Sequence, residues 1–129
     1  MNIIRQKYID RSDLQNNPHL MYVFGDNVNR VGRAGQAAAM RGEKNAYGIA
    51  TLMSPGVPFR WSVIDRQYIL RDLIVVFNTL SDYTNKQLCE GLVWPTDGIG
   101  TGFAKMPPTL RAWMDDQIFD MFGIFNELK

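Results

Sequence analysis

Tyr22-Val23-Phe24-Gly25-Asp26-Asn27 runs through Val28-Asn29-Arg30-Val31-Gly32-Arg33-Ala34-Gly35 into Gln36-Ala37-Ala38-Ala39-Met40-Arg41-Gly42. The apolar and aromatic residues from Leu20 to Phe24 read as a buried strand. Gly25, Asp26 and Asn27 are turn residues that end it. Gln36 to Met40 are strong helix formers, and Gly42 suits a helix stop. The stretch therefore reads as strand, glycine-containing loop, helix N-terminus. Such a loop offers free backbone N–H groups to a phosphate. It is not a Walker A loop, because no Gly-Lys-Ser/Thr follows, and Gly32 and Gly35 lack the third glycine of a dinucleotide fingerprint. The plainer alternative is a tight strand–helix connection that needs glycine for positive φ.

Upstream, Ile3 to Ile9 reads as an opening strand, and Asp10 to Pro18 as a polar connection with a short helical turn capped by Ser12. Downstream, Asn45 to Thr51 reads as a short strand weakened by Gly48, and Leu52 to Trp61 as a loop. Ile64, Tyr68, Ile69, Leu73, Val76, Phe77 and Leu80 recur at helical spacing, so Val63 to Leu80 is predicted helical, with Ser62 as its cap. Leu88 to Trp94 reads as a further buried strand ending at Pro95. After Pro107-Pro108, a stripe of Leu110, Trp113, Met114, Ile118, Met121, Phe122 and Phe125 predicts a last helix to about Asn126.

The order of elements implies one α/β domain over residues 1–129, with a mixed central sheet flanked by helices. Net charge is +1, which gives no electrostatic case for nucleic acid or a membrane surface. No apolar run approaches the roughly 20 residues that span a bilayer, and the N-terminus lacks a signal-peptide apolar region. A soluble cytoplasmic protein is expected. Cys89 and His19 are the sole cysteine and histidine, so no disulfide, metal site or Cys–His nucleophile pair is expected.

The second glycine-containing loop follows Pro95: Thr96-Asp97-Gly98-Ile99-Gly100-Thr101-Gly102-Phe103-Ala104-Lys105-Met106. In α/β folds ligands bind where loops leave the carboxyl ends of strands. Two such loops converging on one cleft would favour a phosphate-bearing small molecule.

Ile99-Gly100-Thr101-Gly102 with Pro95 and Pro107, together with Asn27, Gly32 and Gly35, resembles the macro-domain family, and most closely small bacterial and phage-encoded macro-like proteins. The resemblance covers about Leu20 to the C-terminus. It implies binding of ADP-ribose or a related NAD-derived nucleotide, free or on an ADP-ribosylated target, with no cofactor. It further implies that Asn27 contacts the distal ribose and that Gly32, Arg33, Ala34 and Gly35 form one diphosphate loop, with Gly25 and Gln36 beside it as further ligand-binding residues. Gly98, Ile99, Gly100, Thr101, Gly102 and Phe103 would form the other, after Pro95. Asp13, or else Asp10, would read the adenine. The pattern departs from the family at Arg33, which either clamps a phosphate or crowds the loop, and at Asp26, an added carboxylate. Two other readings follow: an ADP-ribosyl hydrolase or phosphatase in which Asp26 and Asn27 position a water, and an interaction protein whose cleft is vestigial.

Overall fold

The computed structural model describes residues 2–102 and 104–128. A five-stranded sheet of order β1-β5-β2-β3-β4 is formed by β1 (Ile3–Gln6), β2 (Leu20–Asn27), β3 (Ala46–Ser54), β4 (Val57–Pro58) and β5 (Gly91–Pro95). Four strands run parallel and β4 turns back antiparallel against β3 at the edge. The helices are α1 (Arg11–Asn16), α2 (Ala37–Met40), α3 (Val63–Asn85) and α4 (Pro108–Phe122). This is the mixed α/β architecture expected from the alternation of apolar runs.

Strand alternation divides the core in two. Met21 and Val23 of β2 and Leu92 and Trp94 of β5 point to one face, where Ile69, Leu73, Val76 and Leu80 of α3 and Leu110, Met114 and Ile118 of α4 cover them. Tyr22 and Phe24 of β2 and Val93 of β5 point to the other, packed by Leu14 of α1 and by Ala37 and Met40 of α2. Because both faces are covered, the central strands read as continuous apolar runs rather than alternating ones.

Element ends follow local chemistry. Ser62 Oγ accepts the Asp65 N–H at 3.1 Å and starts α3, as expected. The helix runs on to Asn85, past the Leu80 predicted from apolar spacing, because its last turn is polar and solvated. Ile64, included in that stripe, is exposed, as are Ile74 and Val75. Gly123 at φ 69° caps α4 in the left-handed conformation, so the helix stops at Phe122 and Phe125 lies exposed beyond it. Two further expectations are corrected. Asp10, not Ser12, precedes α1, and its N–H donates to Asp13 Oδ2 at 2.8 Å. The segment 52–61 is not all loop: β3 continues to Ser54 and turns at Gly56 (φ 77°) into β4. No described helix is long and apolar enough to cross a membrane.

Tyr22 lies buried with its hydroxyl donating to the Asp13 carbonyl at 3.3 Å. Burial pushes its phenol pKa up, and the Asp13 charge adds to this; Tyr47 is also raised, mainly by burial. The folded state therefore holds both protons more tightly than the unfolded chain, which releases them near pH 10. Their stabilising contribution is complete below that pH and is lost as pH rises through the folded-state values. Thermal melts from roughly pH 8 to 11 should show a steeper alkaline fall for the parent than for Tyr22→Phe; parallel curves would refute the assignment.

Candidate functional site

Strands β2 and β5 are neighbours, with Leu20, Met21 and Tyr22 in register with Gly91, Leu92 and Val93. The helices that follow them pack on opposite faces: α2 lies on the Tyr22–Phe24 side and α4 on the Met21–Val23 side. Adjacent parallel strands whose connections leave to opposite faces open a crevice at their carboxyl ends. The two glycine-containing loops enter that crevice from either side. A cavity of about 600 Å3 fills it, walled by Gly25, Asp26 and Asn27 at the end of β2 and the loop that follows them, by described residues of the second loop such as Gly98, Thr101 and Lys105, and by the β3–β4 hairpin at Pro55 and Gly56. The expectation that Gly25-Asp26-Asn27 would end the strand as a turn is thus corrected, since β2 runs through Asn27.

The two loops are fastened to each other. Gln36 Oε1 accepts the Gly25 N–H at 2.8 Å, and Gln36 Nε2 donates to the Gly98 carbonyl at 2.9 Å. One carboxamide thus bridges the floor of the cleft. Glycine is required at close quarters: a Cβ on Gly100, whose φ is +73°, would sit 2.6 Å from Met106 Sδ. Gly102 is different, since a Cβ there meets nothing within 4 Å. Among the described residues, no hydrogen bond engages the backbone N–H groups of Gly100, Thr101 and Gly102, or of Gly32 to Gly35.

Asp26 follows Tyr22 and Phe24 on the α2 face of β2. It is 5% exposed, and its carboxylate is fully engaged. Arg41, just past α2, donates to both oxygens; Arg30 Nη1 donates at 3.3 Å, and the Asn27 N–H at 2.8 Å. Arg30 carries the network onward to Asp72 of α3 at 2.6 Å. Burial opposes the Arg30 charge, but its hydrogen bond and attraction to Asp72, with help from Asp26, raise its pKa overall. Arg41 also donates from Nε to the Gly32 carbonyl at 2.6 Å and from Nη2 to the Val31 carbonyl at 3.2 Å. Asp26 is thus the anchor of the first loop, with no lone pair free to draw a proton from water. Asn27 is spent in the same loop, its Nδ2 donating to the Val31 carbonyl at 2.8 Å.

The other candidate residues divide between cleft and elsewhere. Gly25, Gly32, Ala34, Gly35, Gln36, Gly98, Gly100, Thr101 and Gly102 line the cavity with Asp26 and Asn27. Arg33 is exposed and does not line it, so it does not fill that space. Asp13 accepts from Gln6 Nε2 and from the Asp10 N–H at the start of α1, away from the cleft, and Asp10 lies with it. Pro95 and Ile99 are buried beneath the second loop. Phe103 lies outside the described residues.

Sequence reasoning missed Arg41, Lys105 and Asp97, which line the cavity, and Asn126, which holds it from behind. Asn126 is 1% exposed. Its Oδ1 accepts the Ile99 N–H at 2.9 Å and Trp94 Nε1–H at 3.1 Å, while its Nδ2 donates to the Ile99 carbonyl at 2.9 Å and Asp115 Oδ1 at 3.0 Å. Arg5 seconds it from β1, donating to the carbonyls of Phe125 and Asn126 at 2.7 Å each. No local motif marks Asn126; only a buried polar partner for Ile99 could have pointed to it.

The molecule is thus an α/β protein with a glycine-walled cleft at the carboxyl ends of its two central strands. The chain belongs to a family described as a family of unknown function (DUF7831), whose model matches residues 4–117. This corrects the macro-domain resemblance drawn from the loop motifs, since it is this family and no macro-domain model that matches. Motifs such as Gly-Thr-Gly are short and recur wherever a strand must turn sharply into a loop, so they identify a geometry and not a lineage. No curated protein and no solved structure matches the chain.

Proposed function

We propose that the cleft binds a diphosphate-bearing nucleotide, with ADP-ribose and other NAD-derived nucleotides as the class to test first. The observation that carries this reading is the convergence of two glycine loops on one cavity of about 600 Å3, with Gln36 bridging them. That volume lies within the range of small-molecule and cofactor sites. The unpaired amides of the two loops supply donors, and successive backbone N–H groups in such turns form anion-binding concavities. Lys105 lines the same space and supplies the positive charge that the loop from Gly98 to Gly102 lacks. Asp97, exposed on the rim, suits ribose hydroxyl groups. Binding is favoured over hydrolysis by Asp26, whose carboxylate is committed to Arg30 and Arg41.

Calorimetric titration with ADP-ribose, NAD, ADP and AMP tests the reading. Gly102→Val should keep the fold, because its added side chain meets open space, yet project into the cleft and weaken nucleotide binding by at least about tenfold. Lys105→Ala should weaken the diphosphate ligands more than AMP. The reading fails if none of the four nucleotides binds, or if Gly102→Val binds as the parent does.

A further inference from the structure

On the far side of Asp26 and Arg41, at the outer edge of β3, a second cavity of about 450 Å3 is lined by Arg30, Arg41, Arg71, Asp26 and Asp72. Three guanidinium groups here meet two carboxylates, of which Asp26 accepts four hydrogen bonds and Asp72 three. Asp26 is held by Arg30, Arg41 and the Asn27 N–H. Asp72 Oδ2 accepts the Ala50 N–H at 2.8 Å, while its Oδ1 accepts from Arg30 Nη2 at 2.6 Å and Arg71 Nε at 3.2 Å. Asp26 cannot turn to serve Arg71 without leaving another donor unpaired, and Asp72 reaches Arg71 only at Nε. Arg71 is half exposed, and its Nη1 and Nη2 make no hydrogen bond among the described residues. Two Arg30 contacts, to Asp26 Oδ2 and to the Gly48 carbonyl, are long at 3.3 Å. The cavity therefore has one positive charge in surplus and a free planar fork of donors at its mouth.

We propose that this cavity is a second ligand site, taking the phosphate group of a small molecule. Arg71 would be its bidentate donor and Arg30 its second contact. A guanidinium fork matches two oxygens of a phosphate at once. Several guanidiniums around one space suit a doubly charged, many-oxygened group better than a single carboxylate. The proposal does not depend on the nucleotide reading of the cleft, since it uses different residues for its free donors.

Amide NMR titration with inorganic pyrophosphate at constant ionic strength tests it, with acetate as the carboxylate control. Saturable shifts are expected at Gly48, Ala50 and Arg71, larger for pyrophosphate than for acetate. Arg71→Gln should weaken the pyrophosphate affinity by about tenfold, and Arg71→Lys, which keeps the charge without the fork, should fall between. Both variants should melt near the parent temperature, because a half-exposed side chain with one ion pair contributes little to stability. Gly102→Val should leave these shifts in place. Equal affinity in Arg71→Gln, or shifts that never saturate and spread over exposed basic residues throughout the chain, would overturn the proposal.

Discussion

Asn126→Ala is expected to destabilise the protein by about 3–5 kcal/mol, because it strands three buried groups at once. The Ile99 N–H, the Ile99 carbonyl and the Trp94 indole N–H all lose their partner. Each unpaired buried group costs about 1–3 kcal/mol, and water entering the space left by the carboxamide recovers part of the sum. The melting temperature should fall by roughly 10 °C or more. Hydrogen exchange at Ile99 should quicken in step, since its amide is held by this side chain. Asn126→Asp makes a sharper control. It can still accept from Ile99 N–H and Trp94, but its second oxygen would face the Ile99 carbonyl and the Asp115 carboxylate, where an amide now donates. Aspartate should therefore not rescue stability. A melting curve superimposable on the parent's in either variant would remove Asn126 as the pin of the loop.

Asp26→Asn should be the second most damaging change. The substitution keeps shape but removes the charge that Arg30 and Arg41 share. Breaking a buried ion pair typically costs about 3–5 kcal/mol, because the surviving charge stays buried without compensation. Arg41 bears that cost in full, its side chain being only 18% exposed. Arg30 bears less, since it is more open to solvent and keeps Asp72, so a loss of about 2–4 kcal/mol is expected. The measurement also separates two roles. An anchor shows itself as lost stability, with any nucleotide affinity falling only as the first loop loosens. A general base would show the opposite: an unchanged denaturation midpoint with turnover abolished.

These expectations show where local sequence sufficed. The order of strands and helices was legible because apolar period is a backbone property: Ile69, Leu73 and Val76 recur at helical spacing and are buried as that spacing requires. Ser62 announced the start of α3 for an equally local reason, a side chain reaching an amide three residues on. The two cleft loops were legible for their glycines. Errors fell where an apolar residue's partner lies beyond its own segment. Ile64 and Phe125 fit the stripes of their helices, yet one sits exposed in the first turn of α3 and the other beyond the Gly123 cap. The stretch 52–61 looked like loop because Pro and Gly dominate it, and a two-residue edge strand leaves almost no periodic trace.

The sequence by itself determined the alternation of strands and helices and the glycine-containing loops that follow β2 and β5, though Gly25-Asp26-Asn27, which reads as a turn, continues the strand. Those properties depend on residues within a few positions of one another, where sterics and hydrogen-bond reach operate directly. Tertiary structure alone decided the pairing of β5 with β2, which brings Gly98 to Gln36 across 62 positions of chain. It also turned Asp26 from a candidate base into an anchor and made Asn126 the support of a loop 27 positions away. The reason is energetic. A buried charge or amide must find a partner wherever the packed elements offer one, and the identity of that partner is set by how the layers close and not by the residues on either side.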